Sequence, residues 1–346
     1  MFLKFLKDQG MINNNNKILT DSYGRFHSYL RISLIEKCNL RCNYCMPING
    51  VPLKPKKDLM TSEEIFEISK IFVKYGVDKI RLTGGEPLVR KDFEEIIKKI
   101  STLKTKISLT TNAVLVDRHI SYLKKIKNLS INISLDTLNS EKFKKITFRD
   151  HFTKTYQNLL MLVDNNFKVK LNVVLMKGIN DDEILDFIQL SIKLGIQIRF
   201  IEFMPFDGNS WKKDKLVSQN EILSVVKAHY ANHFIEESTD TKNFIARDFK
   251  IRKLNASFGI ISTVTNPFCD TCNRIRLTAD GKLKNCLFSN NEVDLLKSFR
   301  SGKLIEPIIS GIIDKKMSVR AGMDTFEKFK NPEIHSKNRS MITIGG

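Results

Sequence analysis

Between Leu30 and about Met204, segments that read as strands alternate with segments of helix length, and this alternation limits the folds open to the chain. Leu30-Arg31-Ile32-Ser33-Leu34 alternates apolar and polar residues with the period of a strand. Lys79–Thr83, Ile107–Leu109, Ile131–Leu135, Val169–Leu175 and Ile196–Ile201 are five further strand candidates. Helices are expected at Thr61–Tyr75, Asp92–Ile100, Arg118–Lys125, Phe152–Asp164 and Asp181–Leu194, the first with Thr61 and Glu64 in capping-box spacing. Strands separated by helices pair in parallel, so the fold class is α/β, with a sheet either doubly wound or curled into a barrel. In both forms ligands gather at the carboxyl ends of the strands. Three cysteines follow the first strand, Gly84-Gly85-Glu86-Pro87 the second and Thr110-Thr111-Asn112 the third, while Ser134-Leu135-Asp136 ends the fourth.

The alternation stops after Met204. Pro205-Phe206-Asp207-Gly208 reads as a loop and Ser218–Ala228 as a helix; residues 244–289 read as short strands with turns, and Ser340–Gly346 as a non-helical tail. Residues 1–26 read as an N-terminal arm containing the polar run Asn13–Asn16. The expected organisation is therefore the arm, a βα unit over 27–204 and a C-terminal α+β region over 205–346.

All six cysteines fall into two triads: Cys38, Cys42 and Cys45 in C-x3-C-x2-C spacing, and Cys269, Cys272 and Cys286 in C-x2-C-x13-C spacing. Structural zinc sites use four closed ligands, and electron-transfer clusters usually use four cysteines. Three thiolates on a four-iron cluster leave one iron open to a small molecule. An open iron can chelate an amine and a carboxylate together, groups that S-adenosylmethionine (SAM) carries on its methionine end. The competing reading of the first triad is a zinc loop completed by a distant ligand. His229 and His233 share helical spacing and read as a surface pair rather than a metal site.

No apolar stretch approaches the ~20 residues that span a bilayer, and the first residues resemble neither a signal nor a transit peptide. A cytoplasmic location is expected, where thiols stay reduced and available to metal. The net charge is +19, from 57 Lys and Arg against 38 Asp and Glu. Such a field favours anionic partners, although much of it is lysine on presumed helix surfaces such as Lys98-Lys99 and Lys124-Lys125.

Cys38-Asn39-Leu40-Arg41-Cys42-Asn43-Tyr44-Cys45-Met46-Pro47, combined with Gly84-Gly85-Glu86-Pro87, resembles the radical SAM superfamily. The second triad narrows the resemblance. Phe268-Cys269-Asp270-Thr271-Cys272-Asn273-Arg274-Ile275-Arg276-Leu277-Thr278-Ala279-Asp280-Gly281-Lys282-Leu283-Lys284, followed by Cys286-Leu287-Phe288, is similar to the C-terminal signature of the GTP 3′,8-cyclase family of molybdenum cofactor biosynthesis. Asn172–Asn180, Arg199–Met204 and the terminal Gly345-Gly346 extend the similarity from about Arg31 to the end of the chain.

The resemblance implies a partial (β/α)6 barrel with a C-terminal region that carries a second iron–sulfur cluster. It implies two [4Fe–4S] clusters, one on Cys38, Cys42 and Cys45 and one on Cys269, Cys272 and Cys286. The positions it assigns to SAM are Tyr44, Gly84, Gly85, Glu86, Ser134 and Met204. GTP contacts would come from Arg31, Lys79, Arg81, Thr110, Lys170, Arg199, Arg274, Ile275, Arg276, Gly345 and Gly346. Arg31, Arg274 and Arg276 are the catalytic candidates, Arg31 for late electron and proton transfer. If the segment after Cys272 is extended, Arg274 and Arg276 share one face. The implied reaction is that of a lyase: the 5′-deoxyadenosyl radical takes hydrogen from C3′ of GTP, and C3′ then bonds to C8. Implied partners are an electron donor such as flavodoxin or ferredoxin and a downstream cyclic pyranopterin monophosphate synthase. No membrane or nucleic acid is implied, and a homodimer stays open.

Two positions depart from the family pattern, Ala113 and Phe148, where glycine is common; both bear on loop shape rather than on the reaction. Two other readings remain: a radical SAM enzyme acting on a peptide, and a zinc-dependent nucleic-acid-binding protein motivated by the charge. The first wants more cysteines in the C-terminal region, and the second leaves the glycine turn and the open triads unexplained.

Overall fold

A computed structural model describes residues 14–47, 49–231, 235–237, 245–252, 254, 256–331 and 338–346. His233 and residues 1–13, half of the expected arm, lie outside the described residues. Six strands follow the expected order: β1 (Tyr29–Ser33), β2 (Lys79–Thr83), β3 (Lys106–Thr111), β4 (Leu129–Ser134), β5 (Lys168–Leu175) and β6 (Gln197–Glu202). Each pairs in parallel with the next. The expected capping box is formed: Thr61 Oγ1 accepts from Glu64 N, and the Glu64 carboxylate accepts from Thr61 N.

Six more strands are β7 (Ile235–Glu237), β8 (Arg247–Ile251), β9 (Ala256–Ile261), β10 (Arg274–Leu277), β11 (Lys282–Lys284) and β12 (Val293–Asp294). They do not form a sheet of their own. β10 adds in parallel beside β1 and β9 in parallel beside β6, and antiparallel strands extend both edges to twelve.

Strand alternation divides the side chains between two faces. Leu30, Ile32, Ile80, Leu82, Leu171, Val173, Ile198 and Phe200 face the helices and form the core. Arg31, Arg81, Asn172 and Arg199 occupy the opposite face and line one cavity with residues of β9 and β10. Seven strand spacings separate β9 from β10, roughly 34 Å in a flat sheet. A common cavity therefore requires the sheet to curl into an open barrel.

The structure has helices beyond those expected from the sequence: Ser140–Thr147, Leu295–Arg300, Glu306–Asp314 and Phe326–Lys330. It also corrects the tail, because Met341–Ile344 is a short helix and only the two terminal glycines extend beyond it. Ile342, Thr343 and Ile344 are buried there, so tertiary packing overrides a stretch rich in β-branched residues. Described residues of the N-terminal stretch are docked: Leu19 is fully buried. Among the described residues no helix is long and apolar enough to cross a membrane.

Candidate active site

The first triad sits on the loop after β1. Three separate elements hold that loop. Arg41 N and Asn43 N donate to Thr147 O and Ile146 O at the end of the helix Ser140–Thr147, at 2.9 and 3.0 Å. Gly85 N and Glu86 N donate to Ile35 O and Lys37 O. Asn112 Nδ2 reaches Asn39 Oδ1 at 2.7 Å and Cys38 Sγ at 3.8 Å. A Cβ at Gly84 would stand 2.6 Å from Ile35 O, and one at Gly85 2.4 Å from Lys37 O. The glycines are thus required first by the close approach of this loop to the turn after β2.

Cys38, Cys42 and Cys45 open into a cavity of about 170 Å³ that Tyr44, Gly84, Gly85, Glu86, Ser134 and Met204 also line. Every residue assigned to SAM is therefore brought to one place. The Glu86 carboxylate is engaged with the protein, accepting from Leu88 N, Thr111 Oγ1 and Asn112 N. Burial lifts it to about 7 against those hydrogen bonds. Asp136, which the sequence reading left unassigned, is likewise lifted by burial to about 6, hydrogen-bonds Tyr44 and accepts from Val174 N. Burial and the nearby Glu86 push the Cys38 thiol up to about 12. Burial and Asp136 hold Cys42 well above its usual range.

The second triad lines a neighbouring cavity. Cys269 and Cys272 flank a single turn after the loop 262–268, and Cys286 follows β11. Glu202, at the end of β6, clamps that loop by accepting from Val264 N, Thr265 N and Thr265 Oγ1. The Cys272 thiol is pulled down to about 6: burial raises it, but the Lys316 ammonium and Arg274 outweigh burial.

Cations from several strands converge beside this triad. β1 pairs Arg31 with Arg81 on one side and Arg276 on the other, so three guanidinium groups lie in register. Arg274 and Arg199 join them in a cavity of about 140 Å³ with all three cysteines. Arg31, Arg81 and Arg276 are buried, and the Nε atoms of Arg31, Arg81 and Arg199 have no partner. Burial and its cationic neighbours push Arg31 well below its ordinary range, and burial with Arg274 takes Arg276 to about 9. Arg81 Nη1 donates to Thr110 Oγ1 at 3.2 Å.

Lys79 Nζ lies 4.7 Å from the centre of the buried Tyr29 ring, whose hydroxyl is unpartnered. Lys170, lowered to about 8 by burial and by Arg199, donates to Gln197 Oε1. Ile275 does not join the group; its side chain points to the other face of β10 and is buried in the core.

Met204, Asn172, Ile201, Met341 and Gly346 line both cavities, which are therefore continuous. The tail lies at their junction. Gly346 O accepts from Thr83 Oγ1 at 2.7 Å and from Arg31 Nη2, and Gly345 O accepts from Arg276 Nη1. At Gly345, φ is +87° and a Cβ would stand 2.8 Å from Thr83 Cγ2.

Comparison with known proteins decides the family. Residues 32–191 match the Radical SAM superfamily model and residues 196–323 the Molybdenum Cofactor Synthesis C model. The GTP 3′,8-cyclase of Alkaliphilus oremlandii is 39% identical, over 95% of this chain and 100% of its own length. This chain belongs to the GTP 3′,8-cyclase family of radical SAM proteins. The mitochondrial GTP 3′,8-cyclase of Arabidopsis thaliana is 42% identical over 98% of this chain and 86% of its own length. Mouse molybdenum cofactor biosynthesis protein 1 is 45% identical over 94% of this chain but only 51% of its own length. The chain thus spans about half the length of the mouse relative. In fold, Streptococcus suis SuiB bound to S-adenosylmethionine superposes with a TM-score of 0.61 at 18% identity, over 85% of this chain and 70% of that one.

The departures from the family pattern acquire a structural meaning here. Ala113 and Phe148 adopt φ of +63° and +52°, the left-handed region that favours glycine. Sequence reasoning missed Asn172, Asp136 and Lys316. Asn172 lay within a matched stretch, Asp136 followed Ser134, and Lys316 carries no local signal.

Proposed function

We propose that this chain converts GTP to 3′,8-cyclo-7,8-dihydro-GTP, the first step of molybdenum cofactor synthesis. The observation that carries this reading is the continuous cavity between two cysteine triads, with oppositely composed ends. The end at the first triad holds Glu86 and Asp136, and the other holds Arg31, Arg81, Arg199, Arg274 and Arg276. A cationic ligand such as SAM suits the first and a triphosphate the second.

The donor sets fit open iron–sulfur clusters. Each triad has three thiols that line a cavity. Cys38, Cys42 and Cys45 would hold one [4Fe–4S] cluster, and Cys269, Cys272 and Cys286 the other. A reduced cluster held by Cys38, Cys42 and Cys45 would supply the one-electron cleavage of SAM, and the resulting 5′-deoxyadenosyl radical would take the C3′ hydrogen of GTP.

Everything else is positioning and charge. Guanidinium forks with unpartnered Nε atoms meet phosphate oxygens directly. Lys79 and Lys170 do not line the arginine-lined cavity but lie near Arg81 and Arg199 and add to its positive field, and Thr110 accepts from Arg81. Tyr44, Ser134 and Met204 flank SAM at the mouth. Arg31 links the terminal glycine to the cation row, where it can hold a proton beside the closing ring. An acidic electron-transfer protein of the flavodoxin or ferredoxin class would supply electrons, and a cyclic pyranopterin monophosphate synthase would consume the product.

Anaerobic turnover of the iron-reconstituted protein with GTP, SAM and a strong reductant tests the reading by mass spectrometry. 5′-Deoxyadenosine together with a cyclised GTP isomer is expected. Deoxyadenosine without a GTP-derived product would move the substrate elsewhere, with a peptide next in line.

A further inference from the structure

Lys316 stands behind the second triad and does not itself line the cavity there. It is 4% exposed, and each of its three ammonium donors has a partner. Nζ lies 3.1 Å from Arg274 O, 3.5 Å from His27 Nδ1 and 3.4 Å from Cys272 Sγ.

His27 is fully buried and its Nε2 lies 3.1 Å from Asp21 Oδ2. A carboxylate only accepts, so Nε2 carries the proton and Nδ1 is left as an acceptor facing Lys316. Arg25 completes the frame. It donates to Asp21 Oδ2 at 2.7 Å and to the carbonyls of Cys269, Met317 and Ser318 at 2.8–2.9 Å. Asp21, Arg25 and His27 therefore tie the N-terminal segment to the cysteine turn and to the segment bearing Lys316. Two anchored donors leave the third aimed at sulfur.

We propose that Lys316 is a positioning residue that donates an N–H···S hydrogen bond to Cys272 and places a fixed positive charge against the second cluster, raising its reduction potential. The inference rests on the proposal that this triad holds a four-iron cluster. Reduction adds negative charge to a cluster, and a buried cation beside a ligand sulfur stabilises the reduced form with little screening. Asp21, Arg25 and His27 hold that cation in place, which gives the segment before β1 a role in the chemistry of a site formed 244 residues later.

The test uses the full chain with Cys38, Cys42 and Cys45 replaced by alanine, so that only the second triad binds iron. Potentiometric titration followed by electron paramagnetic resonance compares Lys316→Met and Lys316→Arg with this parent. Lys316→Met should lower the potential by about 59 mV, a tenfold change in a one-electron equilibrium, and Lys316→Arg by much less. The parent should also show an exchangeable-proton coupling to the cluster that disappears in deuterium oxide and in Lys316→Met. An unchanged potential and coupling in an iron-replete Lys316→Met overturns the inference. Should Lys316→Met lose the cluster, absence of the coupling in the parent overturns it instead. Iron and sulfide missing from the parent itself would defeat the underlying cluster assignment.

Discussion

The two cysteine triads are alike in composition and unlike in surroundings. Around the first, Glu86 and Asp136 add to burial, and all three thiols are held above their ordinary range. Around the second, Lys316 and Arg274 reverse the effect of burial at Cys272 and bring it to about 6. Cys269 of the same triad is still raised by burial, so the contrast between the triads rests on Cys272 and the cations packed against it. The first end carries the carboxyl groups of Glu86 and Asp136, and the second a group of arginines.

The largest test of that contrast is to remove each triad in turn. Alanine at Cys38, Cys42 and Cys45 should halve an iron content of about eight per chain and abolish 5′-deoxyadenosine formation. Alanine at Cys269, Cys272 and Cys286 should also halve the iron, yet leave deoxyadenosine formation measurable without a cyclised product. Equal loss of deoxyadenosine in both would break the division of labour.

Arg31→Met sharpens the contrast from the cationic side. Loss of charge-assisted hydrogen bonds of about 2–3 kcal/mol should weaken triphosphate binding some 30- to 150-fold in calorimetry. The ligand-free protein should melt higher, because Arg31 is a buried cation whose neighbours are cations. A lower melting point would mean that the row is structural.

At the junction, Gly345→Ala forces a Cβ against Thr83 in a left-handed backbone, at a cost of about 1–2 kcal/mol. Displaced from Arg31 and Arg276, the tail should slow cyclisation while leaving both clusters intact, measured as product per deoxyadenosine. A smaller effect follows from pH. Lys170 lies near 8; Tyr29, which burial raises, is brought to about 8 by Arg81, Arg31 and Lys79. Both lose a proton as pH rises through about 8, so the cavity loses positive charge and triphosphate affinity should fall. The ligand-free protein binds fewer protons at these groups than its unfolded chain between about 8 and 10, so their contribution to stability rises over the same interval. Lys170→Arg combined with Tyr29→Phe should flatten the affinity profile. Smallest is Ala113→Gly, where relief of left-handed strain should raise stability by at most about 1 kcal/mol in thermal unfolding.

Much of the barrel was legible because its signals are local. Thr61 and Glu64 announce their helix three residues apart, and Leu30, Ile32 and Leu34 announce a buried face by period alone. The helix Ser140–Thr147 went unread because its amphipathic pattern is short and lysine-rich, although it anchors the first cysteine loop. The tail misled in the other direction, since its β-branched residues become helical only once they are buried.

By itself the sequence determined which residues are candidates for chemistry: two triads of thiols, Arg274 and Arg276 two apart, and terminal glycines without side chains. These are matters of composition and spacing, which survive in an unfolded chain. Only the tertiary structure decided that Arg31, Arg81 and Arg276 stand side by side, that β9 and β10 share one cavity, and that Lys316 reaches Cys272. Register, curvature and long-range packing set those distances, and no local run of residues encodes them.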